Sequence, residues 1–516
     1  MKNFFLIAIV SFLFSNNAIA AKLACVADNQ FTGRGNTNER MLTITKPENK
    51  KLSSLTIDMR GCSSISDVVR IKIYSSLTNK FDVRAISNYE ELCDVSPKKS
   101  GITICKFKKK TSLEHMYLFV TYEISETAKE GNVVTAKLKN SNVVASREIL
   151  LRRTLLYSPG DYNSKNYRIP AAITAHDGSL VVATDKRKNN QIDLPEDIDV
   201  LVNRSTDGGK TWSAPQVIAE GKGFGAGFGD ASLVKTANEN ELLAIYIGGP
   251  GFFTSTPSVC QHVYVNKSYD NGQTWTEKID ITNQLYGEGC LNAERRDWNA
   301  MFISSGAGVC MRDGTIAFVA VVRETISAEL DAISNYVIYS EDAGETWKLS
   351  TSCMANHGNE GKITELNDGT WLVSIRNQRR GERYYNISTD RGKTWKGLDQ
   401  WSELVEPGCN GDLYYYTSIV DGFDKNRILH SMPNNRNHRK NVSVFLSYDE
   451  GISWPIGKTI CSTGAAYSSI CSLPDGTIGV YIEENYEVED FSMYFLNFSL
   501  DWLTDGRDIY SSPKSK

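Results

Sequence analysis

The chain reads as an all-β protein: a six-bladed β-propeller preceded by a small β-sandwich. Three observations predict this. An eight-residue turn recurs five times, as STDGGKTW (205–212), SYDNGQTW (268–275), SEDAGETW (340–347), STDRGKTW (388–395) and SYDEGISW (447–454). A second signal alternates with it, as HDGSL (176–180), RDGTI (312–316), NDGTW (367–371) and PDGTI (474–478). No such repeat occurs before residue 154, where the texture is short alternating segments between lysine-rich turns.

Asp-Gly between alternating apolar residues is a hairpin turn, because glycine reaches positive φ without a steric penalty. NENEL (238–242) and VDGFD (420–424) fill the remaining hairpin slots, and SLDW (499–502) reads as a decayed sixth copy of the longer turn. Two hairpins make a four-stranded sheet. Six such sheets fit a propeller, whose radial packing protects the blade edges. In each longer turn the Asp caps nearby N–H groups and the Trp packs back on its blade. Five copies on separate blades cannot meet at one substrate, so they are structural staples.

Before the propeller, VRIKIYS (69–75), MYLFVTYEI (116–124) and VVTAKL (133–138) alternate as half-buried strands do, with KPENKK and KFKKK read as the turns between them. The expected divisions are 1–20 as an export signal, 21–153 as the sandwich, read as a carbohydrate-binding module, and 154–516 as the propeller. Lys2, the apolar run from Phe4 to Phe14 and the small residues Ala18 and Ala20 carry the export reading. That run is about half the ~20 residues a membrane span needs. A secreted or periplasmic location follows as an expectation. The net charge of −4 gives no basic excess for nucleic acid. No Cys-x-x-Cys pair occurs and only six His are present, so neither a metal nor another cofactor is expected. Export permits disulfides. Among the eleven cysteines, Cys93/Cys105 and Cys461/Cys471 are close enough in sequence to bridge. The chain is expected to act as a monomer.

Topology assigns sides. Both kinds of turn lie at one end of the blades, here the bottom, so chemistry belongs at the top. Arg168 lies nine residues before Asp177, and Arg187 ten after it, followed by Asp193. Tyr467 lies eight before Asp475 and Glu483 eight after it. Arg376 lies eight after Asp368, with Arg383 beyond it, and Arg439 lies eight before Ser447. Arginines converging from several blades suit an oxyanion, since a guanidinium grips a carboxylate in fork geometry.

YRIP (167–170), the five Asp boxes, the spaced arginines and GAAYSSI (464–470) together resemble the exo-sialidase (neuraminidase) family over residues 154–510. The N-terminal region is similar to the β-sandwich of some bacterial members. The resemblance implies a secreted exo-α-sialidase acting on sialylated glycans with retention. A trans-sialidase, or a non-catalytic sialoglycan-binding propeller, is the alternative. It implies Arg168, Arg383 and Arg439 as the triad for the substrate carboxylate, with Glu483 orienting Arg168. Arg187 and Asp230 would line the pocket, Asp193 would be acid/base, and Tyr467 with Glu365 the nucleophile pair. Within the sequence Asp193 competes with Asp197 and Asp199, and Glu360 lies nearer the rim than Glu365. Phe252 and Phe253 would wall the pocket. Ser453 stands where the other boxes have Thr. A tyrosine suits this chemistry because a neutral phenol approaches an anomeric carbon bearing a carboxylate without charge repulsion.

Overall fold

The computed structural model describes residues 23–28, 31–45, 51–112, 116–325, 333–485 and 490–514. The export segment expected at 1–20 lies outside them. The chain divides into two compact units, residues 1–149 and 150–516.

The first unit is two five-stranded sheets closed on one apolar core that includes Leu42, Ile57, Ile73, Val120, Tyr122 and Val134. The three alternating segments form strands Val68–Ser76, Tyr117–Ile124 and Val133–Leu138. KFKKK is not a turn: it lies inside the edge strand Ile102–Ser112. Thr103 and Cys105 of that strand point inward. Lysines on an edge strand are a common guard against edge-to-edge pairing. Cys93, on the neighbouring strand Glu90–Val95, is also buried, and its thiol meets that of Cys105.

The second unit is the propeller. Blade 1 contains strands Asn166–Thr174, Leu180–Arg187, Ile198–Ser205 and Gln216–Ala219. Blade 2 is built on Phe228–Lys235 and blade 3 on Ala300–Ile303 with Val309–Cys310. Blade 4 comprises Gly358–Glu365, Trp371–Asn377, Gly381–Ser388 and Asp399–Glu406. Blades 5 and 6 share one 17-residue strand, Ile456–Ser472, whose first half ends blade 5 and whose second half begins blade 6. The innermost strands touch in order around a ring, and the last packs back on the first.

The ring closes between the two ends of the unit. Arg153–Tyr157 pairs with Ser492–Phe498 as the outer strand of blade 6. Arg153 sits in this strand, with its Nη1 on both oxygens of Glu484 at 2.9 and 2.7 Å in the buried interior. The propeller therefore includes residue 153, slightly earlier than the expected boundary. Closure also corrects the reading of SLDW. With its fourth strand drawn from the other end, blade 6 has no turn between strands 3 and 4. Leu500–Leu503 is instead a helical turn capped by Ser499.

Cys461 and Cys471 do not pair. They lie ten residues apart on the one shared strand, on the order of 30 Å at the usual rise. A disulfide needs Cα atoms within about 7 Å.

Each Asp box is a hydrogen-bonded staple. In the first, Asp207 Oδ1 accepts from the Lys210 and Thr211 N–H groups at 3.0 and 2.9 Å, and Oδ2 accepts from Thr211 Oγ1 at 2.6 Å. Ser205 Oγ donates to Asp207 Oδ1 at 2.9 Å and accepts from Gly209 N–H at 2.9 Å. Glycine suits positions 208 and 209 because φ is +73° and +83° there. In the fifth box Ser453 supplies the same N–H and hydroxyl to Asp449, so the missing Thr methyl costs the cap nothing. Asp449→Ala is expected to lower unfolding free energy by about 1–2 kcal/mol. Urea titration measures the loss, and the residues at the top of the blades should keep their arrangement, as read by crystallography.

Candidate active site

Four innermost strands carry the same irregularity near their top ends. In blade 1 residues 169 and 170 oppose a single partner, and in blade 2 residues 230 and 231 do so. In blade 4 the pair is 359 and 360, and in blade 6 it is 466 and 467. Each is a β-bulge, which re-aims side chains and frees a ladder N–H. Ile169 and Asp230 take positive φ, +61° and +55°. For a β-branched residue such as Ile169 this is a strained conformation.

The carboxylate of Glu483, fully buried, holds two of these bulges. It accepts from Arg168 Nε and Nη2 at 3.1 and 2.6 Å, from Ile169 N–H at 3.0 Å and from Tyr467 N–H at 3.1 Å. Burial pushes its pKa up, but the Arg168 charge and the four donors hold it below the usual 4.5. The guanidinium of Arg168 lies 5.2 Å from the centre of the Tyr467 ring, and that of Arg439 lies 5.5 Å from it. Phe491 covers Arg168 at 5.0 Å.

The phenol of Tyr467 donates to Glu360 Oε2 at 2.5 Å. Arg376 Nη1 donates to the same oxygen at 2.7 Å and to the phenolic oxygen at 3.2 Å. Burial, then the charge of Glu360, pushes the Tyr467 pKa well above 10, against the pull of Arg376 and Arg439. The phenol is therefore protonated at neutral pH and its proton points at a carboxylate.

Two sequence expectations are corrected here. Glu365 is not the partner of Tyr467. It pairs with Trp371 beside the bottom turn, where its carboxylate accepts from the Arg312 N–H at 2.9 Å. Arg383 is not in the pocket either. It lies on the third strand of blade 4, fully buried, on Ser374 Oγ at 2.9 Å, Cys409 O at 2.8 Å and Glu406 at 3.3 Å. Arg376, on the second strand, faces the tyrosine instead. The signal for both was in the spacing. Glu360 stands eight residues before Asp368, as Tyr467 does before Asp475, and Arg376 stands eight after it, as Glu483 does. Equal distances from equivalent turns give equivalent heights on the blade.

Arg187 and Asp193 come together: Nη2 lies 2.5 Å from Asp193 Oδ1 and 3.4 Å from the buried Asp185. Asp197 and Asp199 turn to Lys188 at 2.9 and 2.8 Å, leaving Asp193 as the open member of the loop, with 68% of its side chain accessible. The surrounding protein raises the Asp193 pKa, but the charges of Arg187, Arg168 and Arg439 bring it below the usual carboxylate value. Asp230 donates its backbone N–H to Asp185 Oδ1 at 3.1 Å. Burial, with Asp193 adding to it against Arg187, pushes Asp185 up to about 7. Burial and then Asp185 push Asp230 well above the carboxylate range. Asp230 thus holds its proton more tightly than an ordinary carboxyl group. The loop bearing Phe252 and Phe253 packs on Leu194 and Pro195, just past Asp193, through Gly251. Phe252 stacks edge-on against Phe302 at 5.0 Å, and Phe253 is exposed.

Residues 194–480 match the BNR repeat-like domain. A sialidase of Bacteroides fragilis is 30% identical over 347 residues, 63% of this chain and 61% of that protein. A sialidase of Micromonospora viridifaciens is 29% identical over 352 residues, 66% of this chain and 52% of that protein. The chain belongs to the BNR repeat-like family. It spans only about half to three-fifths of those two relatives. Among solved structures, a Hadza microbial sialidase superposes with a TM-score of 0.65 at 21% identity, over 93% of this chain and 99% of that one. That likeness of fold covers residues of both units. Among the described residues no group of His, Cys, Asp and Glu is placed to hold a metal ion, and no helix is long and apolar enough to cross a membrane.

Because the folded pKa of Glu483 is depressed, its contribution to stability is present above about pH 4.5 and is lost as pH falls through the folded value. Glu483→Gln is expected to cost about 3 kcal/mol at neutral pH, since Arg168 is left without its charge partner. Urea titrations at pH 7 and pH 4 should show the wild type losing stability on acidification, and the variant losing less.

Proposed function

We propose that the chain is an exported exo-α-sialidase that removes terminal sialic acid from glycans with retention. The observation that carries this is the contact of Tyr467 with Glu360 and Arg376, with Arg168 and Arg439 beside the same ring.

The chemistry follows from those positions. Arg168, Arg376 and Arg439 grip the carboxylate of the bound sugar, which places the anomeric carbon over the phenol. The phenolic oxygen bonds to that carbon as its proton passes to Glu360. The glycosidic C–O bond breaks, and Asp193 protonates the departing oxygen. Water, losing a proton to Asp193, then attacks the anomeric carbon. The C–O bond to Tyr467 breaks and the phenol recovers its proton from Glu360. Two inversions give net retention. Asp230 hydrogen-bonds a polar group of the sugar.

The arginines also time the acid. In the open site they hold Asp193 ionised. Once a substrate carboxylate neutralises Arg168 and Arg439, that pull weakens and Asp193 can take up its proton.

Product analysis by NMR on a defined sialyllactose tests the reading. α-Sialic acid as the first product supports it; β-sialic acid, or no cleavage, overturns it, and an anhydro product or a new sialoside marks transfer. Tyr467→Phe and Glu360→Gln are each expected to lower kcat by at least ~100-fold, measured with a fluorogenic sialoside, whereas Glu365→Gln should stay within about threefold. Arg187→Met removes a charge that depresses Asp193. It should move the alkaline limb of the kcat/KM profile to higher pH by about one unit.

A further inference from the structure

We propose that Arg383 and Glu406 are positioning residues for two of the three carboxylate-gripping arginines, Arg376 and Arg439. This rests on the sialidase reading and extends it to a pair of side chains that touch no substrate.

Both side chains are fully buried in blade 4. Glu406 Oε1 accepts from the Asn377 N–H at 2.6 Å, and Oε2 accepts from the Cys409 N–H at 2.6 Å. Arg383 Nη1 returns to Cys409 O at 2.8 Å and to Glu406 at 3.3 Å. Its Nε donates to Ser374 Oγ at 2.9 Å, and that hydroxyl also meets His430 Nε2 at 2.8 Å.

Each anchored segment carries a gripping arginine. Asn377 follows Arg376 at the top of its strand. The turn from Glu406 to Cys409 presents Gly408 O, which accepts from Arg439 Nη2 at 3.3 Å. Cys409 itself packs in one cluster with Ile169, Ala466, Tyr467 and Phe491. One carboxylate therefore ties the backbone beside Arg376 to the turn that receives Arg439. A buried ion pair is a weak source of net stability, because desolvation cancels much of the attraction. Its value here is geometric: two backbone donors are held by one rigid acceptor, and Arg383 orients that acceptor. A displacement on the order of 1 Å at such a support is enough to loosen a bidentate grip.

Glu406→Gln places an amide N–H against one of those backbone donors. The grip on the carboxylate acts in both the bound and the transition state, so its loss appears mainly in KM. Glu406→Gln is expected to raise KM for a fluorogenic sialoside by about tenfold or more, with kcat within about threefold. Ser374→Ala, which removes the Nε acceptor and the partner of His430 but leaves the ion pair, should raise KM by about threefold. Calorimetry with N-acetylneuraminic acid should show matching losses of affinity. A purely structural role would lower the thermal midpoint and leave KM and affinity unchanged. Wild-type KM and affinity in the folded variants overturn the inference, and if Glu406→Gln does not fold, Ser374→Ala decides alone. A wild type that neither cleaves nor binds overturns both this and the hydrolase reading; a working wild type with unaltered variants overturns this one only.

Discussion

The site and the ring share one dependence, the carboxylate of Glu483. It is buried, charged and saturated with donors from two blades: Arg168 and Ile169 of blade 1, and Tyr467 of blade 6. An unpaired carboxylate in that interior is prohibitively costly. With four donors around it, it becomes a rigid joint. The joint lies where the last blade meets the first, so the contact that closes the circle also sets an arginine beside a tyrosine. The strain at Ile169 is held by the same acceptor. Similar joints recur around the ring. Asp185 holds the bulge N–H of Asp230, Ser304 Oγ holds Gly361 N–H at 2.9 Å, and Asp412 holds Ile470 N–H at 2.6 Å. The innermost strand of blade 2 pairs in parallel with residues 306–307 on its inner edge; where such an edge is unpaired, side chains of neighbouring blades supply what it lacks.

The pocket sorts its acids by surroundings. Asp193 and Glu483 face guanidinium groups that lower their pKa, whereas burial and mutual repulsion raise those of Asp230 and Asp185. Arg187 lies against both Asp185 and Asp193, and the charge on one acid opposes ionisation of its neighbours. The result is a site whose acids differ in their hold on protons, which suits a ligand bearing both a carboxylate and neutral polar groups.

Much of the fold was legible because its signals are periodic. Asp-Gly turns and Asp boxes mark the bottom of each blade, and glycine or aspartate is needed there for local reasons. Less was legible where the cause is remote. The degenerate SLDW segment looked like a failed turn, but blade 6 draws its outer strand from Arg153–Tyr157 and has no turn there to conserve. Lysines at 106, 108, 109 and 110 read as a loop because charge is abundant in loops, yet an edge strand uses them too. Most of the pocket residues were legible from their height above the turns. The errors at Glu365 and Arg383 came from setting a family pattern against that height, which favoured Glu360 and Arg376.

The bulges explain why height succeeds where alternation fails. In a regular strand, side chains at even and odd positions face opposite sides, so a one-residue shift exchanges them. Reading blade 4 outward from Asp368 by alternation assigns Glu360 to a face it does not occupy above the bulge at 359 and 360. An equivalent bulge displaces Tyr467 on blade 6 by the same single residue. Because both strands slip by one at the same height, their side chains still meet. The distance of eight from each Asp-Gly turn survives, and the pairing of phenol with carboxylate survives with it. A bulge lost from only one of these strands would leave the other side chain facing a closed wall, so the two irregularities form one functional feature, distributed across a third of the ring.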